Sequence, residues 1–201
     1  MVTATPAVQR LGSSARAAFL AHLLALRSDD VRLRFGSPLA APAIEAYVDR
    51  IDFERDAVFA IYGDDLAIIG TAHVGFFDYA AELGVSVLPG YRGRGIGTAL
   101  VTRASEHARN RRTTRFFMHC LHENAAMMTI AQRAGMSIVV NAGEADAHLV
   151  LPPANAASVT QEFLSDQLAL IDFALKSHVD ALKRAAAAAG RDSDAPAQRP
   201  K

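Results

Sequence analysis

The chain contains 201 residues, of which 51% are hydrophobic and 21% are charged, and its formal net charge at pH 7 is zero. This length suits one well-buried domain with appendages, and a neutral chain gives no reason to expect a nucleic acid or a membrane as a partner. The single cysteine, Cys120, excludes an internal disulfide and a cysteine-based metal site. We therefore expect a cytoplasmic protein that binds no metal.

The N-terminal region predicts a short strand followed by a helix. Residues 7–11 form the strand, and Ser13 or Ser14 is expected to cap a helix that runs to Arg27. The apolar run inside this helix is interrupted by His22 and is too short to span a membrane. We interpret it as an amphipathic helix that packs on the core.

The remaining elements follow from apolar periodicity and from turn residues. Residues 31–38 are expected to be a connector, and Pro42 favours a helix start beside it. Helices are then expected at 43–50, 95–110, 124–133 and 158–189, and strands at 57–62, 66–74, 81–88, 115–120, 137–140 and 145–151. This order predicts an α+β fold in which helices pack on one central mixed sheet.

The domain organisation follows from a proline pair and from composition. Pro152 and Pro153 mark the end of the sheet-forming region, and the final residues are polar and rich in Asp, Pro, Arg and Lys. We expect a flexible N-terminus at 1–6, one domain at 7–151, a C-terminal helical extension at 152–189 and a disordered tail at 190–201.

The segment between the strand at 81–88 and the helix at 95–110 carries the clearest functional signal. Its glycines allow close approach of the backbone to a ligand, and the helix that follows adds the positive end of its dipole. Arg92 and Arg94 add donors that suit a pyrophosphate. A P-loop is excluded because no lysine follows Gly97, and a dinucleotide-binding fingerprint is excluded because Thr98 replaces its third glycine.

The spacing Arg92-x-x-Gly95-x-Gly97 closely resembles the acyl-CoA motif of the GNAT superfamily, the Gcn5-related N-acetyltransferases. Asn124 at the start of a helix that Gly135 closes is similar to the family's second motif. The resemblance implies the GNAT fold, with acetyl-CoA as cosubstrate and a strand edge that pairs with its pantetheine arm. It assigns acetyl-CoA binding to Val85, Ser86, Val87, Arg92, Gly93, Arg94, Gly95, Ile96, Gly97, Thr98 and Asn124. Asn124 also suits a simple helix cap.

A narrower resemblance is to the catalytic domain of Pat-type bacterial protein lysine acetyltransferases. It rests on Arg34-Phe35, on the segment at 51–57 and on the spacing of Asn124 and Met127. The resemblance implies a general base at Glu82, where partial burial would raise the pKa of the carboxyl. The simpler alternative is a charge that protects an edge strand.

The expected reaction is direct transfer of an acetyl group to a primary amine in a ternary complex. The amide of Val87 is the expected donor to the developing oxyanion. Many GNAT members carry a tyrosine as general acid where this chain has Ala131, so no general acid is assigned. The cluster of His119, His122 and Glu123 around Cys120 is interpreted as structural, because it makes a poor zinc site.

The acceptor is expected to be an amine, on a protein lysine or on a small molecule. A non-catalytic acyl-CoA-binding sensor is the alternative from another functional class. The C-terminal helix has two apolar faces, one of which is expected to pack on the domain and the other in a homodimer. Packing of the whole helix within its own domain is the alternative.

Overall fold

The protein folds around one seven-stranded sheet. The structure, a computed structural model, describes the backbone of residues 6–193 and the side chains up to residue 187. The strands are β1 (Gln9–Leu11), β2 (Ala57–Tyr62), β3 (Ile68–Phe77), β4 (Ala80–Val87), β5 (Arg115–Leu121), β6 (Ser137–Asn141) and β7 (Glu144–Val150). Their order in the sheet is β1-β2-β3-β4-β5-β7-β6, and only the β4–β5 pair is parallel. The predicted α+β class with a central mixed sheet is confirmed.

Within residues 6–193, six α-helices cover the two faces of this sheet. They are α1 (Arg16–Leu24), α2 (Ser28–Phe35), α3 (Ala41–Asp49), α4 (Ile96–Asn110), α5 (Ala125–Arg133) and α6 (Ala156–Ser193). One buried cluster lies between the sheet and the helices α4 and α5, and it includes Phe59, Leu100 and Phe116. A second lies on the other face beneath α1 and α3 and includes Phe19 and Val48. The two layers together bury the sheet on both sides.

Two predictions for the N-terminal region are wrong. Residues 28–35 form a helix and not a connector, because Asp29 and Asp30 lie in its first turn, arginines lie in its last turn, and Gly36 ends it with φ = 77°. The serine cap of α1 is absent too. Ser13 and Ser14 lie in a 3₁₀ turn, and neither α1 nor that turn has a side-chain cap.

The ends of the chain extend partly beyond the described residues. The predicted helix at 158–189 is present as α6, which begins at Ala156 and continues to Ser193, so residues 190–193 of the expected disordered tail are helical. Residues 1–5 and 194–201, to which the other flexibility predictions refer, lie outside the described part of the chain. No described helix is long and apolar enough to cross a bilayer.

The parallel strands β4 and β5 pair over a short distance only. Their register joins Ala80–Glu82 to Arg115–Phe117, and the remainder of β4 pairs with β3 alone. Leu88 donates its amide to the carbonyl of Ile69, 3.0 Å away. Because hydrogen-bonded pairs alternate along an antiparallel ladder, the backbone groups of Val85 and Val87 point away from β3 towards the opened edge. The sheet therefore has an unpaired strand edge in its centre.

Helix α6 is attached to α4 by a cluster of charged and polar groups. Glu162 accepts hydrogen bonds from Arg103 at 3.1 Å, from Nδ1 of His107 at 2.5 Å and from the side-chain amide of Asn110 at 2.6 Å. Arg103 is only 4% exposed and also pairs with Asp166. Burial alone would raise the pKa of Glu162, but the hydrogen bonds from His107, Asn110 and Arg103 lower it to about 2.

Candidate functional site

Two cavities meet at the point where β4 and β5 separate. The first, which we call the loop cavity, has a volume of about 430 Å³ and lies between β4, the start of α4 and α5. Its walls contain ten of the eleven residues predicted to bind acetyl-CoA, namely Val85, Ser86, Val87, Arg92, Gly93, Gly95, Ile96, Gly97, Thr98 and Asn124. The eleventh, Arg94, does not line it. Its guanidinium lies 5.3 Å from the ring centroid of Tyr91 and donates to the carbonyl of Gly90.

The glycines of the loop shape the backbone around this cavity. Gly93 and Gly95 have φ values of 75° and 78°, a region that other residues rarely adopt, and Gly95 immediately precedes α4. Gly97 lies in the first turn of α4, where a Cβ atom would be 2.7 Å from Cδ1 of Ile130. The loop therefore exposes the amides at the start of a 15-residue helix.

Arg92 is held in place by two neighbours. Its Nε donates to the carbonyl of Val87 at 3.1 Å, and one terminal nitrogen is 2.7 Å from Asp30. The side chain of Asp30 is 4% exposed and also binds Arg27. Burial would raise the pKa of Asp30, but the hydrogen bonds and charges of Arg92 and Arg27 lower it. Asp30 thus stays ionised and fixes Arg92, whose other N–H groups remain for a phosphate.

The hydroxyl of Ser86 forms its hydrogen bonds with buried side chains of the protein. His22 bonds the carbonyl of Ile68 through Nδ1 and the hydroxyl of Ser86 through Nε2, both at 2.9 Å. A carbonyl only accepts, so Nδ1 carries the proton and Nε2 accepts from Ser86, which in turn accepts from Thr71. Burial lowers the pKa of His22 to about 4, against the opposing hydrogen bond to Ile68. The side chain of Ser86 therefore supports the strand beneath the cavity.

Asn124 has the capping role that its residue type predicts. It precedes α5, and its side-chain oxygen accepts from the amide of Met127 at 3.2 Å. The residue is 8% exposed, and its amide nitrogen points to the carbonyl of Leu33 at 3.5 Å. A role as a cap and a place in the wall of the loop cavity are thus compatible.

The second cavity contains Glu82, and we call it the Glu82 cavity. It has a volume of about 690 Å³ and lies on the other side of the point where β4 separates from β5. Glu82 is exposed here, so the partial burial predicted from its apolar neighbours is wrong. The reason lies in the strand geometry, because the side chain of Glu82 points into the cavity while Ala81 and Leu83 point into the core. The other charged residues that line the Glu82 cavity are Arg34, Arg50, Asp52, Arg55, Asp56 and Glu144.

A chain of four polar side chains in this cavity is absent from the sequence-based prediction. Arg34 donates to the hydroxyl of Tyr47 at 3.1 Å, Tyr47 is 2.7 Å from Nδ1 of His73, and Nε2 of His73 is 3.1 Å from Asp56. Burial lowers the pKa of His73, and the positive charge of Arg34 lowers it further. The hydrogen bond and the charge of Asp56 act in the opposite direction and raise it. The one available signal in the sequence was His73, which together with Thr71 interrupts the apolar residues and glycines of β3.

Arg34 is the one residue that lines both cavities among those described. Its guanidinium lies against Gly84, where a Cβ atom would be 2.0 Å from the nearest guanidinium nitrogen. A side chain at position 84 would therefore displace it. Since Gly84 lies in the part of β4 that is not paired with β5, Arg34 lies between the two cavities beside this unpaired segment.

The cluster around Cys120 forms separate pairs. Cys120 is buried, and burial, followed by the charge of Asp146, raises the pKa of its thiol. His119 pairs with Asp146, and Glu123 pairs with Arg32 on α2. No group of three or more potential metal ligands occurs among the described residues. These contacts tie β5 to β7 and to α2.

The acetyl-CoA cosubstrate implied by the sequence fits the loop cavity. Its pyrophosphate suits the glycine loop and the helix start, and its pantetheine amides suit the β4 edge at Val85 and at the amide of Val87, since the carbonyl of Val87 already accepts from Arg92. No curated protein matches the sequence. The fold is similar to the GNAT domain of S. lividans PAT, with a TM-score of 0.62 and 19% identity over 72% of this chain and 89% of that chain.

Two further structures with this fold contain acetyl-CoA. One is yncA of Salmonella typhimurium with its cofactor acetyl-CoA, with a TM-score of 0.56 and 18% identity over 74% of this chain and 95% of that one. The other is a phosphinothricin acetyltransferase of Sinorhizobium meliloti, with a TM-score of 0.59 and 14% identity over 76% and 95%. Residues 25–136 match the model of the acetyltransferase (GNAT) family. Since that match covers more than half of the chain, the protein belongs to the GNAT family of acyl-CoA-dependent N-acetyltransferases.

Proposed function

We propose that the protein transfers an acetyl group from acetyl-CoA to the side-chain amine of a protein lysine, directly and within a ternary complex. The observation that carries this proposal is the meeting of the two cavities at Arg34, with the predicted cosubstrate residues on one side and Glu82 on the other. An acceptor amine in the Glu82 cavity would thus reach a thioester in the loop cavity through the opened edge of β4.

Glu82 is the proposed general base. A lysine amine has an ordinary pKa of about 10.4 and must lose a proton before it attacks a thioester. A carboxylate that faces the acceptor cavity can take this proton directly or through one water molecule. When bound, acetyl-CoA supplies the acetyl group as an activated thioester. The amide of Val87, which points to the opened edge, is the proposed donor to the negative charge on the carbonyl oxygen.

A protein acceptor is favoured by the surface next to the Glu82 cavity. Phe77 lines the cavity and is 53% exposed, and Tyr79 follows in the β3–β4 turn and is 73% exposed. Neighbouring exposed aromatic side chains are typical of surfaces that contact another macromolecule.

A small-molecule amine is the second candidate. Arg50 and Arg55 line the same cavity and suit the carboxylate of an amino-acid-like acceptor. The two candidates are separated by incubating the protein with radiolabelled acetyl-CoA and a bacterial lysate, and by counting label in macromolecules and in small amines. Label on protein supports the lysine proposal, and label on small molecules alone replaces it with the second candidate. Binding without any transfer would favour a sensing module.

We also propose that a second copy of the chain covers the free face of α6. One side of this helix is fixed to its own domain through Glu162 and through Phe173, whose ring centroid is 4.8 Å from that of Tyr62. The opposite side exposes a run of large apolar residues, which are Leu164, Leu168, Ile171, Leu175, Val179 and Leu182, while the exposed Phe163 and Leu170 lie beside the fixed side. Light scattering should show a dimer that Leu168→Glu dissociates. A monomeric wild type would contradict this proposal.

A further inference from the structure

We propose that Tyr47, His73 and Asp56 form a proton relay that takes the second proton from the acceptor nitrogen and returns it to the departing sulfur. This inference rests on the proposed function and extends it. An ammonium that becomes an amide loses two protons, and Glu82 accounts for one of them. The other needs an acceptor, and the departing thiolate needs a donor that Ala131 cannot supply.

The tautomer of His73 follows from its two partners. Asp56 lies 3.1 Å from Nε2, and a carboxylate only accepts, so Nε2 carries the imidazole proton. Nδ1 is then a free acceptor and takes the hydroxyl proton of Tyr47 at 2.7 Å. The oxygen of Tyr47 accepts from Arg34 at 3.1 Å. Each hydrogen bond in the chain therefore points from Arg34 through Tyr47 and His73 to Asp56.

This direction makes the chain ready to accept a proton at the tyrosine oxygen. When that oxygen takes a proton from the acceptor nitrogen, Tyr47 passes its own proton to Nδ1 of His73. The resulting imidazolium is paired with the carboxylate of Asp56. The neighbouring guanidinium of Arg34 stabilises negative charge on the tyrosine oxygen during the exchange. His73 is the group that stores the proton, and Tyr47 is the group that contacts the substrate.

The relay lies beside Glu82 and at the junction of the cavities. His73 is the cross-strand partner of Gly84, and Glu82 is two residues away on the same face of β4. Tyr47, His73, Asp56 and Glu82 line one cavity. An acceptor nitrogen at the opening next to Arg34 would thus have Glu82 on one side and the oxygen of Tyr47 on the other.

The proton balance closes over one turnover. The carbon–nitrogen bond forms and the carbon–sulfur bond breaks, with the electron pair of the latter remaining on sulfur. The first nitrogen proton goes to Glu82 and then to water. The second goes through Tyr47 to His73 and returns through Tyr47 to the sulfur, which leaves as a thiol. His73 and Asp56 end in their starting states, so no further reactant is required.

Tyr47→Phe tests the relay with little change in packing. The ring contacts of Tyr47 with Phe35 at 5.1 Å and with His73 at 5.7 Å are kept, and the hydroxyl alone is lost. With radiolabelled acetyl-CoA and a fixed amount of lysate protein, we expect kcat to fall about tenfold or more, with the KM for acetyl-CoA unchanged. Tyr62→Phe is the matched control outside the cavity and should leave kcat unchanged. A Tyr47→Phe variant with the wild-type kcat would overturn the relay.

A second measurement does not depend on transfer. Nitrogen NMR of histidine-labelled protein should show His73 with its proton on Nε2. Asp56→Asn removes the charge that pairs with the imidazolium of His73 and should lower kcat to a similar extent. Wild-type His73 protonated on Nδ1 would contradict the relay. If the wild type binds acetyl-CoA but transfers no label, the proposed function fails, and the histidine spectrum still decides whether the hydrogen-bond chain exists.

Discussion

Glu162→Gln should destabilise the protein strongly, because Glu162 joins α6 to three buried or half-buried groups of α4. The carboxyl has a pKa of about 2 in the folded protein and an ordinary value of 4.5. The difference corresponds to about 3 kcal/mol at pH 7. For a chain of this length we expect the midpoint of thermal unfolding to fall by roughly 6–12 °C. The amide retains the shape of the side chain but leaves Arg103, which is 4% exposed, with a weaker partner.

The sign of the pH dependence gives a second check on Glu162. A carboxyl with a lowered pKa stabilises the fold above pH 4.5, and this contribution decreases as the pH falls towards 2. Urea denaturation followed by circular dichroism should show a difference between variant and wild type of about 3 kcal/mol at pH 7 and about 2 kcal/mol at pH 3.5. Glu106→Gln is the matched control, because burial raises the pKa of that carboxyl and its neutralisation should not destabilise the fold. Equal stabilities of Glu162→Gln and wild type at pH 7 would refute the argument.

Three further changes have expected outcomes of different kinds. Asn124→Ala removes the side chain that caps α5 by accepting from the amide of Met127, and it should lower the free energy of unfolding by about 1 kcal/mol. Calorimetry should show acetyl-CoA affinity about fivefold weaker. An unchanged affinity would contradict the place of Asn124 in the site. His22 is buried with a pKa of about 4, so wild-type stability should fall by about 3 kcal/mol from pH 6.5 to 4, and urea titrations of His22→Gln should lack this slope. Gly84→Ala would displace the guanidinium of Arg34 and should reduce the rate of transfer at least about tenfold while acetyl-CoA binding persists; a wild-type rate would show that the position of Arg34 is unimportant.

The local elements that carry the loop cavity could be predicted from the sequence. The run from β4 through Gly93, Gly95 and Gly97 into α4 contains its own turn residues, its own helix start and the change of apolar period between strand and helix. These signals act over a few residues. Ten of the eleven predicted cosubstrate residues therefore line one cavity, and only the outward orientation of Arg94 was missed.

The Glu82 cavity could be predicted only in part, because its parts come from distant segments. Arg34, Tyr47 and His73 are brought together by α2, α3 and β3, and no local pattern links an arginine to a tyrosine thirteen residues away. The prediction of a connector at 31–38 also concealed the helix that carries Arg34. Glu82 is still paired with Phe117 of β5, and it is exposed because its side chain faces a cavity whose other walls come from distant segments.

The most direct test of the central claim is the rate of acetyl transfer by Glu82→Gln compared with the wild type. Both proteins are given radiolabelled acetyl-CoA and lysate protein, and acetyl-CoA binding is measured separately by calorimetry. Glu144→Gln is the control, since Glu144 is another carboxylate in the wall of the same cavity. The account predicts a loss of about 100-fold or more in the rate for Glu82→Gln, with binding unchanged and the control near wild type. A Glu82→Gln variant that transfers label at the wild-type rate would contradict it.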